Sequence, residues 1–282
     1  MYSLSVKNEQ ERILQLTNNQ NYSVISITGL NPPTATINTS TMPNFDGATY
    51  NSARVNTRNI VITIIPEAPV ESNRVALYKF FKTKHWCRLF YKNNQRDVYI
   101  DGYVETMEFD AFSQKQQIQI SILCPRPYFV GILDAKSTLD IVVPLFELPV
   151  SIPSEGVELS KYCENEPLKV LNRGDVDAGM IFTFSFAGNT KKLTIRDKYT
   201  KQLFSVEYDF QPYDTLKIDT NRGNKSVTLL RNSQELNLIN YMTVDSVWLQ
   251  AEIGENELEV RADQGIEKIE AAVEWMNLYE GV

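Results

Sequence analysis

The sequence predicts a mainly β protein, with an N-terminal β-sandwich-like domain that carries one α-helix and a C-terminal β-sandwich. Three observations carry this reading. Apolar residues recur with a period of two, β-branched runs stop at prolines, and turn residues separate short segments. At 282 residues the chain exceeds the usual size of one domain, so two domains are expected, each able to bury its own core.

In chain order, the first clear strand is Tyr22–Thr28. Residues 29–50 follow, rich in Thr, Asn and Pro and poor in charge, with Asp46-Gly47 as a turn. Compact domains seldom carry idle loops of that length, so this stretch is expected to be an extended arm. Residues 59–65 are β-branched and end at Pro66, as a strand does. Ser72 is placed to cap a helix over 73–84, with Val75, Leu77, Tyr78, Phe81 and Trp86 on its buried side and Arg74, Lys79, Lys82 and Lys84 facing out. Strands follow at Asp97–Phe109 and 116–122, and Pro125 and Pro127 then hold the chain extended. That places a boundary near residue 130, with a first domain over 1–130 and a second over 131–274. The final residues, about 275–282, are free to return to the first domain. Residues 141–153, apolar and punctuated by Pro144, Pro149 and Pro153, read as a crossing segment that docks on a neighbour. The second domain shows alternation at 180–186, 191–196, 215–218, 226–230, 244–250 and 258–262.

Composition narrows the function classes. Lys and Arg number 28 against 35 Asp and Glu, for a net charge of −7, and no basic stripe appears. Nucleic-acid affinity comes mostly from neutralising phosphates, so a sequence-specific DNA or RNA reader is not expected, although an acidic surface is suited to a channel that DNA passes through. The N-terminus lacks the charged and apolar regions of a secretory signal, and no apolar stretch is long enough for a membrane span. Cys87, Cys124 and Cys163 match neither a disulfide framework nor a zinc site and are expected to be reduced and buried.

Catalytic constellations are not found. The one histidine, His85, lies near Cys87, and no metal or nucleophile motif surrounds it. No Gly-x-Ser-x-Gly elbow and no phosphate-cradling glycine loop occurs. The carboxylate clusters Asp175/Asp177, Asp209/Asp214/Asp219 and Glu252/Glu255/Glu257/Glu259 lie in turn-like or strand-edge contexts, where acidic residues are ordinary surface groups. No catalytic residue, metal ligand or cofactor is therefore assigned, and a non-enzymatic protein is expected. The sharper alternative is a carbohydrate-binding module, because exposed aromatic rings stack on sugars; Tyr213, Tyr241 and Trp248 are its candidate platform.

The order of whole segments adds a family. The block Asp46-Gly47, Tyr50, Arg54 and Arg58-Asn59-Ile60, the helix with Arg74, Leu77 and Tyr78, Asp101-Gly102-Tyr103-Val104, and Cys124-Pro125-Arg126-Pro127-Tyr128 resemble the distal tail protein (Dit) family of siphophages. Asn172-Arg173-Gly174-Asp175-Val176, Ile218-Asp219-Thr220, Gly254-Glu255-Asn256 and the closing Tyr279-Glu280-Gly281-Val282 are similar to that family's second half. The family's Pro-Gly-x-Asn turn reads Ile253-Gly254-Glu255-Asn256 here. The resemblance implies a homohexameric ring formed by the N-terminal domains, with galectin-like C-terminal sandwiches outside it, in the tail tip or baseplate of a virion assembled in the host cytoplasm. The implied partners are the major tail tube protein, the tape measure protein, the tail-associated hub protein, and receptor-binding or baseplate proteins.

Closing a ring needs one patch to meet a different patch on the next subunit. The candidate ring-interface residues are Thr36, Ile37, Asn38, Thr39, Phe45, Asp46, Gly47, Tyr50, Arg54 and Arg58. The strand at 59–65, taken as an edge, is expected to add main-chain hydrogen bonds across the joint.

Overall fold

A computed structural model describes residues 2–43, 46–110, 116–132, 135–139, 142–144, 160–162 and 167–282. The chain divides into one unit of Met1–Ile132 with Leu278–Val282 and a second of Leu133–Asn277. Among the described residues the structure is mostly strand, with one α-helix.

The first unit contains β1 (Ser3–Asn8), β2 (Ile13–Gln15), β3 (Tyr22–Thr28), β4 (Ala35–Ser40), β5 (Thr49–Val55), β6 (Arg58–Pro66), α1 (Val70–Phe80), β7 (Trp86–Lys92), β8 (Asp97–Phe109), β9 (Ile118–Cys124) and β10 (Phe129–Gly131). The main sheet runs β2-β1-β7-β8-β9-β6-β3, and β10 lies between β8 and the C-terminal strand Leu278–Tyr279. Alternation sets which side chains go in. Ile60, Ile62 and Ile64 of β6 meet Ile118, Ile120 and Ile122 of β9 in one buried cluster, while Asn59 and Gln119 face out. β6 pairs with β3 on one side and β9 on the other, so it is an interior strand with its ladder groups already used. The expectation that it forms an edge is corrected.

The helix also differs from its sequence pattern. It begins at Val70 after Pro69, three residues before the expected start, and Ser72 lies inside it without capping. The buried line is Asn73 and Leu77, continued by Phe81, whereas Val75 and Tyr78 are exposed. A polar residue sets this phase: the Asn73 side-chain amide donates to the Glu67 carbonyl at 2.9 Å, and the Tyr22 hydroxyl donates to the Asn73 carbonyl at 3.3 Å. Burying a hydrogen-bonded Asn costs little, so the apolar pattern alone misplaces the face. The helix stops at Phe80; Lys84 turns with a positive φ of 71°, and Trp86 opens β7 instead of extending the helix.

The second unit contains β11 (Ala135–Leu139), β12 (Val142–Pro144), β13 (Ser160–Tyr162), β14 (Leu168–Asn172), β15 (Ala178–Phe186), β16 (Thr190–Asp197), β17 (Leu203–Phe210), β18 (Thr215–Asp219), β19 (Ser226–Arg231), β20 (Gln234–Asn237), β21 (Gln250–Ala251), β22 (Gly254–Gln264) and β23 (Ile269–Trp275). One antiparallel sheet runs β11-β23-β15-β18-β19-β20, with β21 also on β15, and the other runs β14-β22-β16-β17. Phe182 and Phe184 from the first sheet and Leu193, Ile195 and Leu258 from the second share one buried cluster, so the unit is a sandwich. Val142–Pro144 of the expected crossing segment pairs with Ser160–Tyr162; the rest of residues 141–153, like Cys163, lies outside the described residues.

Three sequence motifs of this half prove to be turn staples. Asn172 is buried, donates to the carbonyls of Val176 and Ala251, and accepts from the Gly174 amide. The Thr220 hydroxyl accepts from the Met180 amide at 2.8 Å. Asn256 donates to the carbonyls of Val170, Glu252 and Gly254, which holds the Ile253–Asn256 turn without the family's proline. Residues 244–250 are not the expected strand: a turn and an irregular run precede β21, and the half-buried Trp248 lies in that run.

Candidate interaction surface

The expected arm is a β-hairpin. Its alternation matters because cross-strand partners share a face. Thr36 faces Arg54 and Asn38 faces Ser52, which makes one face polar. That face is knitted together by hydrogen bonds from Thr36 to Asn56 at 2.8 Å and from Asn38 to Ser52 at 3.0 Å. On the other face Ala35 opposes Val55 and Ile37 opposes Ala53. After Asn38↔Ser52 the register steps to Thr39↔Tyr50, leaving Asn51 as the extra residue of a bulge. The bulge brings Tyr50 onto the face of Ile37.

This apolar face is uncovered. Ile37 is 62% exposed and Tyr50 63% exposed, and Met42 and Val55 are also exposed. An isolated two-stranded hairpin is marginally stable at best, so this face is a candidate interaction surface. Asp46 and Gly47 form the exposed bend between β4 and β5, with Gly47 at a φ of 91°; Phe45 lies outside the described residues.

Arg58 does not belong to this surface, which corrects its place among the candidate interface residues. It is only 4% exposed, and its guanidinium lies 4.6 Å over the Phe129 ring. It donates to the carbonyls of Pro127 at 2.6 Å and Asn31 at 2.6 Å, and also to those of Gly29 and Glu280. Burial lowers its pKa from the ordinary guanidinium value, which leaves it charged at neutral pH. The reason for its inward position is geometric: Arg58 occupies the first inward position of β6, one step before Ile60. Gly29, at a φ of 85°, makes room for this clasp, since a Cβ there would sit 2.2 Å from the Asn59 carbonyl oxygen.

The three aromatic candidates of the sandwich lie in different settings. Tyr213 is 93% exposed at the turn between β17 and β18, with a φ of 69°. Tyr241 packs edge-on against Tyr208 at 4.9 Å, and Trp248 packs against Phe204 at 5.1 Å with the Lys225 ammonium 5.4 Å from its ring centre. No ring contact joins any two of the three.

Several of the acidic groups have structural partners. Asp214 is buried and accepts two hydrogen bonds from Arg231, at 2.9 and 2.6 Å, while the Gln211 amide donates to it at 2.8 Å. Burial alone pushes its carboxyl up, but the Arg231 and Gln211 hydrogen bonds outweigh burial and leave it below the ordinary carboxylate value. Glu257 pairs with Lys198 and Glu259 with Arg261. Glu9 bonds His85 at 2.7 Å and the Trp86 amide at 3.2 Å, which lowers the Glu9 pKa. Cys87 and Cys124 are buried free thiols, each pushed up by burial to about 12.

Residues 11–124 match the phage tail protein RIFT-related domain, and residues 173–279 match the C-terminal domain of the siphovirus-type tail component. No curated protein matches the sequence. Among solved structures the chain is similar to the Dit protein (gp 19.1) of phage SPP1, with a TM-score of 0.68 and 12% identity over 98% of both chains. That protein is described as a paradigm of the hub adsorption apparatus in phages infecting Gram-positive hosts. A chain of the phage P2 baseplate in its calcium-activated conformation is similar at a TM-score of 0.55 and 10% identity over 100% of both chains. At these identities the likeness to the solved structures is one of fold.

Proposed function

Because this chain belongs to the distal tail protein family of siphophages, and is a structural component of the phage tail and baseplate, we propose that it closes a homohexameric ring through its first unit. The observation that carries this reading is the hairpin of β4 and β5, with one self-satisfied polar face and one uncovered apolar face. Such an element reaches away from its own sheet and offers a patch unlike any it covers at home. A head-to-tail joint between different patches is the kind that closes rings. In this proposal the ring joins the tail tube protein and the tape measure protein on one side to the tail-associated hub protein on the other. The sandwich is available to receptor-binding or baseplate proteins, and assembly takes place in the host cytoplasm.

The test is the mass of the full chain in solution, by size-exclusion chromatography with light scattering across a concentration series. A hexamer that dissociates on dilution is expected; a monomer at the highest concentration would overturn the ring. A second reading, saccharide binding by the sandwich, is favoured by one observation, the nearly complete exposure of Tyr213. Titration with host wall polymer should then show binding that Tyr213→Ala weakens; no binding at millimolar ligand removes that reading.

A further inference from the structure

We infer that residues 278–282 act as a strap that sets the hairpin arm in place, so that the arm becomes competent for assembly only once the second unit has been made. The assembly half of this inference rests on the ring reading above. The strap half stands on contacts within the first unit.

That unit is discontinuous in sequence, with Leu133–Asn277 intervening between its two parts. Leu278 and Tyr279 pair with Val130 and Phe129, supplying the outer neighbour of β10. Arg96 lies 4.5 Å over the Tyr279 ring and also donates to the Gly281 carbonyl. The Val282 amide donates to the Leu30 carbonyl at 3.0 Å. Leu30 sits between Gly29 and Asn31, whose carbonyls both accept from Arg58, and Glu280 supplies another Arg58 acceptor.

Both roots of the hairpin therefore meet at one buried guanidinium. The incoming root, residues 29–31, is bonded to it, and the outgoing root carries it at Arg58. Asn56 ties the roots together, its amide donating to the Thr34 carbonyl at 2.9 Å. A buried charge must be satisfied by its full set of hydrogen bonds, because each lost acceptor leaves it poorly solvated. Without the strap Arg58 lacks one acceptor, Leu30 lacks its donor and β10 has a bare edge. The roots are then held by fewer bonds. Synthesis runs from the N-terminus, so these contacts form only after residues 133–277 exist. A partial chain holds the arm loosely, and a loosely held arm pays an ordering cost on joining a ring.

The arm reports on itself, since Arg54 is the one Lys or Arg between Gly29 and Thr57 and is exposed. Three variants are compared with the full chain: one ending at Asn277, Arg58→Met, and the milder Gly281→Ala, whose added Cβ would lie 3.1 Å from the Leu30 carbonyl oxygen. Tryptic cleavage after Arg54 is timed at a dilution where the protein is dissociated, with the thermal transition as a check of folding. Cleavage about tenfold faster or more is expected for the first two variants, and an intermediate effect for Gly281→Ala, which also covers the case of an Arg58→Met chain that does not fold. Light scattering at high concentration should show loss of the assembled form in the same order. Equal cleavage rates in folded variants and full chain would overturn the strap. Faster cleavage with assembly intact would overturn the link to assembly, and would count against the arm as the ring joint.

Discussion

Ile37 offers the sharpest test of the hairpin as a joint. It is 62% exposed on a face that nothing covers in the single subunit, so replacing it should leave the subunit's own stability nearly unchanged. Complete burial of an isoleucine contributes about 1.5–3 kcal/mol, and the exposed fraction leaves roughly 1–2 kcal/mol for a partner to gain. Ile37→Ser should forfeit that amount at every joint, about tenfold in each association constant. Ile37→Asp should cost several kcal/mol more, because a carboxylate would be buried without a partner. Asn38→Asp places the same charge one residue away, on the polar face opposite Ser52, and should assemble much as the parent does. Light scattering over a dilution series separates these cases. If Ile37→Asp and Asn38→Asp behave alike, the two faces are not distinct and the assignment of the apolar face to the joint fails.

Other positions test the fold that presents this surface. Gly102→Ala should destabilise the first unit by about 1–3 kcal/mol, read as a lower urea midpoint, because its Cβ would sit 2.6 Å from Ile122 Cγ2 and 2.9 Å from Cys124 Sγ; a midpoint at or above the parent's would mean those side chains yield freely. Asp214→Asn should cost the sandwich about 3 kcal/mol by leaving Arg231 without its carboxylate. Since the folded Asp214 carboxyl lies below its ordinary value, the pair's contribution is fully present above about pH 4 and is lost as pH falls through the lower folded value. Melting curves should accordingly lose more stability across that acid window in the parent than in Asp214→Asn. Site-resolved alkylation at pH 8 should leave Cys87 and Cys124 unmodified in the folded chain and modify both in denaturant; rapid labelling of either in the folded state would contradict their burial.

The legible parts of this protein are those governed by short range. A strand's side chains alternate whatever it pairs with, so Tyr22–Thr28 and Asp97–Phe109 appear in the sequence with the bounds they have in the structure. The charge-poor run after Gly29 likewise coincides with an exposed hairpin without showing its form. β4 and β5 leave little trace in it because both strands are exposed along nearly their whole length, which removes the contrast that alternation depends on. The apolar pattern misplaces the helix face because Asn73 takes a core position through a hydrogen bond to Glu67.

Arg58 shows the limit most clearly. In the sequence it is one more charged residue beside the arm, and charged residues are usually surface residues. Its burial is permitted only by carbonyls from Gly29, Asn31, Pro127 and Glu280, which chain closure brings together. The sequence alone therefore determined the β class, the family and the presence of an arm, since these follow from local periodicity and motif order. Tertiary structure decided which face of the arm is free and what anchors its roots, because both depend on register and on contacts up to 222 residues apart that no local pattern encodes.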